Sequence, residues 1–204
     1  MTARFSVWLS AAALAAAVLA ASAAAADPAR DAASATVQQT LDGVVEVLRD
    51  RELGDEVRRT RVEEIAYARF DFQTISRLVL ARNWKKLSPE QRDAFIVEFK
   101  KHLSGSYWRT LDDYRDETVE LTGSRLARNG DVTVRSHIVG ADTPAPILID
   151  YRMRPRGDEW VVIDVIIESV SLVQNFRSQT QEIISDVGVD QLIDQLRKKN
   201  ADRG

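Results

Sequence analysis

The 204-residue chain contains no cysteine and only two histidines, and these two scarcities exclude several kinds of site. Disulfide bonds cannot form, and His102 and His137 alone cannot assemble the common structural zinc sites. Each histidine is interpreted as a surface or hydrogen-bonded side chain. A lipoprotein anchor is excluded as well, because bacterial lipoproteins are acylated on a cysteine at the cleavage site. We therefore predict no metal and no cofactor.

Glycine is also scarce, with nine residues in the chain, and the glycine-based catalytic motifs are missing. G-x-S-x-G, G-x-G-x-x-G and the phosphate-binding loop are all absent. Asp150 and Asp164 lie on adjacent predicted strands and are the remaining candidate pair for acid–base chemistry. Both have the parity of the face assigned to solvent, which favours solvated or salt-bridged carboxylates, and no catalytic residue is predicted.

Neither sign of charge is in large excess, because the chain has 28 basic and 31 acidic residues and a net charge of −3 at pH 7. Nucleic-acid binding usually requires a clustered basic face, so a nucleic-acid partner is not expected. The same balance disfavours permanent adhesion to an anionic membrane surface.

A long apolar run occurs at the N terminus, in "MTARFSVWLSAAALAAAVLAASAAAADP". Arg4, the apolar run through Ala20 and the small residues before Asp27 have the layout of a secretory signal peptide, 1–26, cleaved after Ala26. An uncleaved membrane anchor is the alternative, because the run is about 20 residues long. Its mainly alanine composition and the lack of a following basic cluster favour cleavage. We expect an exported protein in which residues 27–204 form one domain.

The first half of this domain has helical periodicity. Apolar spacing predicts a helix from about Asp31 to Asp50 and shorter helices between residues 53 and 84. Ser88 and Gln91 have capping-box spacing around Pro89, and they predict the start of a long helix of about seven turns. Its apolar stripe consists of Phe95, Phe99, Leu103, Tyr107, Leu111 and Tyr114.

After Asp116 the apolar period changes from helical spacing to two, which predicts four consecutive strands in an antiparallel meander. The fourth strand alternates from Val161 to Ile167 and then changes parity at Val170, so we predict a β-bulge near Glu168-Ser169. Helical spacing returns after Gln174. The predicted fold class is α+β, with a helical layer packed on one curved four-stranded antiparallel sheet.

Four segments carry a resemblance to a known family: "FDFQTISRLVLARNWKKLSPEQRDAFIVEFKKHLSGSYWRTLDDY", "ILIDYRM", "WVVIDVIIESVSLVQNFRSQTQEII" and "LIDQLRKKN". In this order, from about Thr36 to Asn200, the chain resembles the MlaC family, also known for toluene tolerance. It departs from the family pattern twice. Ala81 and Ser169 stand where the family usually has glycine.

The resemblance implies a periplasmic phospholipid-binding carrier without enzymatic activity or a permanent membrane anchor. Such a carrier moves lipid between an outer-membrane lipoprotein complex and an inner-membrane ABC transporter complex, and so maintains the lipid asymmetry of the outer membrane. Its ligand is a phospholipid rather than a cofactor. Burial of an acyl chain contributes ~0.8 kcal/mol per methylene, so an enclosed apolar cavity is required.

We expect this lipid-binding cavity where the inward residues of the sheet meet the long helix. Its predicted lining is Phe95, Phe99, Leu103, Tyr107, Val134, Ile138, Ile147, Ile149, Tyr151, Val165, Ile167, Val170 and Phe176. For each residue, packing in a dry core is the alternative interpretation.

Two further functions stay open at this point. A carrier of the same fold could hold a hopanoid or another lipid, for which a wider and flatter cavity is expected. A cone-shaped α+β enzyme, an isomerase or hydrolase, would instead need a titratable group that points into the pocket. Parity places His137 and Asp164 outside it.

Overall fold

Helices form the first half of the protein in a computed structural model, which describes residues 27–112, 117–140 and 145–202. The predicted signal peptide at 1–26 lies outside the described residues. The elements are α1 (Pro28–Arg49), α2 (Asp55–Arg69), α3 (Phe72–Leu80), a 3₁₀ helix (Ala81–Lys86) and α4 (Pro89–Asp112). None of the helices in the described ranges is long and apolar enough to cross a membrane.

The predicted capping box starts α4. The Ser88 N–H donates to Gln91 Oε1 at 3.0 Å, and the Gln91 N–H donates to Ser88 Oγ at 3.2 Å. These reciprocal bonds satisfy two N–H groups that the first turn leaves without a helical partner. The long helix therefore begins where the sequence indicated.

The second half is the sheet followed by two helices. Its elements are β1 (Thr118–Leu126), β2 (Val132–Val139), β3 (Ile147–Arg156), β4 (Glu159–Ile167), β5 (Val170–Ser171), α5 (Leu172–Val187) and α6 (Val189–Ala201). The strands are ordered β1-β2-β3-β4-β5, each antiparallel to the next. This confirms the α+β class, with one short strand more than predicted.

The predicted bulge at Glu168-Ser169 is wrong, because these residues form a two-residue turn. Both have positive φ, 48° and 67°, as tight hairpin turns require at their two central positions. The chain then reverses, and Val170 pairs with Ile167. The parity change in the sequence therefore marks a reversal of direction. It does not mark an extra residue in a continuous strand.

A real irregularity lies earlier in β4. Arg152 pairs with Asp164 and Met153 pairs with Val162, so Ile163 is an extra residue on β4. The shift places Val162 opposite Met153 on the inner face and turns Val161 away from it. The predicted common face of Val161, Ile163, Val165 and Ile167 is thus interrupted at Ile163, the extra residue, and wrong at Val161.

The buried apolar residues form two separate cores, and the second of them includes residues of the sheet. One lies among α3, α4, α5 and α6 and includes Phe95, Phe99 and Phe176. The other lies between α1 and the sheet and includes Val37 and Val134. Phe70 packs against both. The space between the two cores is the position of the candidate site.

Candidate functional site

An apolar cavity of about 250 Å³ lies between α2, α4 and the inner face of β3 and β4. Apart from Glu63, Lys100 and Ser104, its lining is aliphatic or aromatic. The lining residues are Val62, Glu63, Ala66, Tyr67, Phe70, Phe72, Lys100, Leu103, Ser104, Tyr107, Trp108, Leu111, Ile149, Tyr151, Val165, Ile167 and Leu172.

The geometry of α4 explains why one apolar stripe serves both a dry core and the cavity. A helix turns about 100° per residue, so residues spaced by four drift about 40° around the axis at each step. Phe95 and Phe99 accordingly lie in the core beside Phe176, whereas Leu103 and Tyr107 have rotated toward the cavity.

The sheet supplies the opposite wall as two directly paired positions. Ile149 pairs with Ile167, and Tyr151 pairs with Val165. Further along the same face, Met153 lies under α1 in the second core. The inner face is therefore covered by a helix at one end and lines the cavity at the other.

The predicted lining residues divide into five groups in the structure. Those that line the cavity are Leu103, Tyr107, Ile149, Tyr151, Val165 and Ile167. Phe99 and Phe176 border a much smaller adjoining space of about 20 Å³. Phe95 and Val134 are fully buried in the two cores, and Ile138 is half-buried on β2.

The remaining two, Ile147 and Val170, are 38% and 55% exposed and lie outside the cavity, which corrects their assignment. Val170 follows the turn at Glu168-Ser169, so its chain runs back along the sheet edge. Ile147 is the first residue of β3. Alternation assigned Ile147 to the correct strand but not to a covered position, and it assigned Val170 to a continued fourth strand, whereas Val170 lies on β5.

The sequence reasoning missed the contribution of α2, which supplies Val62, Ala66 and Phe70 from a helix and its end. These residues recur every four positions, a weak signal in a helix that is otherwise rich in charge. On α4 it also missed Lys100, Ser104 and Trp108, which lie beside the apolar stripe at the same spacing.

The polar lining groups meet at the seam between α2 and α4. The Glu63 carboxylate accepts hydrogen bonds from Arg59 Nε at 3.0 Å and from the Ser104 hydroxyl. Lys100 Nζ lies 3.5 Å from the centroid of the Tyr67 ring. Burial raises the pKa of the Tyr67 phenol, which therefore stays neutral at ordinary pH.

Tyr151 places a phenol in the sheet wall of the cavity. Its hydroxyl is hydrogen-bonded with Ser136, whose own hydroxyl donates to the Ile149 carbonyl at 3.1 Å. Burial raises the pKa of Tyr151 to about 12. The group is protonated at neutral pH and adds no charge to the cavity.

Asp164 has the predicted outer parity, yet it is 5% exposed rather than solvated, because α5 covers it. Its carboxylate accepts from the Ser171 hydroxyl at 2.6 Å and from the Val173 N–H at 3.1 Å. These bonds hold the first turn of α5. On the same outer face, His137 Nε2 lies 3.0 Å from the Glu120 carboxylate.

Within the described ranges of the chain, no group of three or more histidine or carboxylate side chains is placed to hold a metal ion.

Comparison with known proteins gives related sequences and a related structure. An intermembrane phospholipid transport system binding protein MlaC from Haemophilus influenzae is 27% identical over 123 residues, covering 59% of this chain and 58% of that protein. Toluene tolerance protein ttg2D from Pseudomonas putida is 24% identical over 121 residues, covering 59% and 56%. The chain thus spans little more than half the length of these relatives.

A solved structure extends the likeness to nearly the whole fold. The phospholipid-binding protein from Ralstonia solanacearum, solved in complex with a phospholipid, superposes with a TM-score of 0.75 at 28% identity. The match covers 83% of this chain and 97% of that one. The sequence profile of the MlaC protein family matches residues 38–198, which is most of the chain, and the protein described here therefore belongs to the MlaC family.

Proposed function

We propose that this protein is a phospholipid carrier that holds acyl chains in the cavity between α2, α4 and the sheet. The observation that carries the proposal is the apolar lining of that cavity, at the junction of two separately packed cores. The bound phospholipid of the Ralstonia solanacearum protein supports the same ligand class.

The energetics favour lipid tails as the occupant. Each methylene moved from water into apolar surroundings contributes ~0.8 kcal/mol, without needing a hydrogen-bond partner. The walls formed by Leu103, Ile149 and Ile167 offer dispersion contacts and no unpaired polar groups. A polar substrate of similar size would lose its hydrogen bonds to water on entering this lining.

The carrier would act in the periplasm after cleavage of the signal peptide at 1–26. It would exchange phospholipid with an outer-membrane lipoprotein complex and an inner-membrane ABC transporter complex, and so maintain outer-membrane lipid asymmetry. Family membership supports this assignment. Because a tail has nearly the same free energy in a bilayer and in the cavity, differential contacts at each docking site are sufficient to drive transfer.

The polar groups of the cavity support carriage over catalysis. Glu63 is engaged by Arg59 and Ser104, and Tyr151 is neutral and bonded to Ser136. Acid–base catalysis instead needs a titratable group poised near the working pH and within reach of a substrate. The carboxylate of Asp164 is committed to the start of α5.

A vesicle transfer assay tests the proposal. Donor vesicles carrying a fluorescent phosphatidylethanolamine and unlabelled acceptor vesicles are separated by a membrane that passes only the protein. We expect label to reach the acceptors in proportion to protein concentration. Transfer no faster than without protein would contradict carriage, and selective transfer of a hopanoid instead would identify a different cargo.

A further inference from the structure

Lys100 places a cation on the wall of a cavity whose other lining residues, apart from Glu63 and Ser104, are apolar. Its ammonium lies 3.5 Å from the centroid of the Tyr67 ring and 5.5 Å from that of Phe72. Aromatic faces attract a cation through their quadrupole but offer no hydrogen-bond acceptor. Within residues 27–112, 117–140 and 145–202, Lys100 makes no hydrogen bond or ion pair, although an ammonium has three N–H donors.

Glu63, the one carboxylate among the lining residues that the structure describes, does not neutralise Lys100. The Glu63 carboxylate accepts hydrogen bonds from Arg59 Nε at 3.0 Å and from the Ser104 hydroxyl. Its negative charge is therefore already balanced by Arg59 on α2. The seam formed by Arg59, Glu63 and Lys100 therefore carries one net positive charge beside the cavity. An anionic group of a ligand would supply the missing acceptor and the opposite charge.

We propose that Lys100 binds the phosphate of the carried lipid and thereby makes the cavity selective for phospholipids over uncharged diacyl lipids. This inference rests on the proposed function. A phosphodiester has one negative charge and free acceptor oxygens, and lysine binds phosphate as a point charge. The aromatic contacts of Tyr67 and Phe72 hold the ammonium in place at the lining.

The position of Lys100 on α4 also orients the ligand. Leu111 lines the cavity eleven residues further along the same helix, which corresponds to about 16 Å. A phosphate at Lys100 leaves the acyl chains to extend along this length, past Leu103 and Tyr107. The headgroup is thus placed at the α2–α4 seam, and the tails lie against the sheet.

Calorimetric titration with two short-chain lipids tests the assignment. Lipid-free purified protein, expressed from its full reading frame, is titrated with dioctanoyl phosphatidylglycerol, with dioctanoylglycerol, and with inorganic phosphate. The variants are Lys100→Met, which keeps the apolar stem, and Lys100→Arg, which keeps the charge. The matched control is Lys101→Met, the next residue on α4, whose side chain is exposed.

We expect Lys100→Met to weaken phosphatidylglycerol binding about tenfold or more and to leave dioctanoylglycerol binding unchanged. Lys100→Arg and Lys101→Met should bind both lipids like the parent, and inorganic phosphate alone should not bind. Raising the salt concentration with the parent protein gives a second measurement that needs no variant. Higher salt should weaken the binding of phosphatidylglycerol and leave the binding of dioctanoylglycerol unchanged.

Three outcomes would overturn the assignment while the carrier function stands. In the first, Lys100→Met loses affinity for both lipids equally. In the second, it loses affinity for neither lipid. In the third, inorganic phosphate binds the parent protein as tightly as the lipid does. Failure of the parent protein to bind either lipid would instead overturn the proposed function itself.

Discussion

Ile149 on β3 is the direct antiparallel partner of Ile167 on β4, and both side chains line the apolar cavity. An ionised carboxylate at this position would face lipid tails without a partner, which costs several kcal/mol. We predict that Ile149→Asp folds with reduced stability and purifies without lipid. Lipid extraction and thermal unfolding of the same preparation measure the two effects.

The control for this variant is Leu148→Asp, one residue earlier on the same strand. Leu148 is 53% exposed and lies on the opposite face of the sheet. This variant should retain lipid and lose little stability. Equal lipid content in both variants would show that the Ile149 side chain does not contact the cargo.

Ala81 and Ser169, where the family resemblance leads us to expect glycine, both have positive φ, 47° and 67°. A residue with a Cβ loses roughly 1–2 kcal/mol in left-handed backbone, and substitution by glycine relieves this penalty. The gain is partly offset because glycine has more conformational entropy in the unfolded chain. We predict that Ala81→Gly raises the free energy of unfolding by about 1 kcal/mol. Ser169→Gly should be neutral or slightly stabilising, as measured by urea denaturation.

An ordinary helical position provides the comparison. Ala35→Gly, at an exposed site within α1, should lower the free energy of unfolding by up to about 1 kcal/mol. If Ala81→Gly lowers the free energy of unfolding as much as Ala35→Gly does, the claim that the backbone at Ala81 is strained is contradicted.

The Asp131 carboxylate is 4% exposed and accepts a forked pair of hydrogen bonds from Arg154, at 2.7 and 2.8 Å. Burial alone would raise the pKa of Asp131, but the hydrogen bonds from Arg154 and Asn129 and the arginine charges outweigh it and lower that pKa. The folded state therefore binds this proton less readily than the unfolded chain. The resulting stabilisation is present above the ordinary aspartate pKa and is lost as pH falls through the folded value.

We predict that Asp131→Asn lowers the free energy of unfolding by about 1–3 kcal/mol at pH 7. The difference from the parent should begin to shrink below about pH 4, where the Asp131 carboxylate of the unfolded parent takes up its proton, and should shrink further as pH falls toward the lowered folded-state pKa. Urea denaturation at pH 7 and at pH 3 measures both values. A difference that is constant or larger at pH 3 would contradict the role of the charge.

Local signals in the sequence predicted much of the fold. The capping box at Ser88 and Gln91 specifies the start of α4 through bonds within one turn. Period-two alternation likewise identified the four long strands. The fifth strand was missed because its turn uses Glu168 and Ser169, residue types that do not usually mark two positive φ values.

The cavity was only partly predictable, because its extent depends on which part of the sheet the helices cover. Period-two alternation places Ile147 and Ile149 on the same face of the sheet, yet of these two residues only Ile149 lines the cavity. The wall supplied by α2 follows from tertiary packing of a charged helix, and Tyr67 and Lys100 meet only across the α2–α4 seam.

Native mass spectrometry of the protein as purified, followed by lipid extraction, tests the carrier assignment most directly. We predict a mass increment that matches a phospholipid, removed by organic extraction and identified by its phosphate-containing headgroup fragment. Incubation of the extracted protein with phospholipid vesicles should restore the increment. A protein that never carries lipid, either as purified or after incubation with vesicles, would contradict the account.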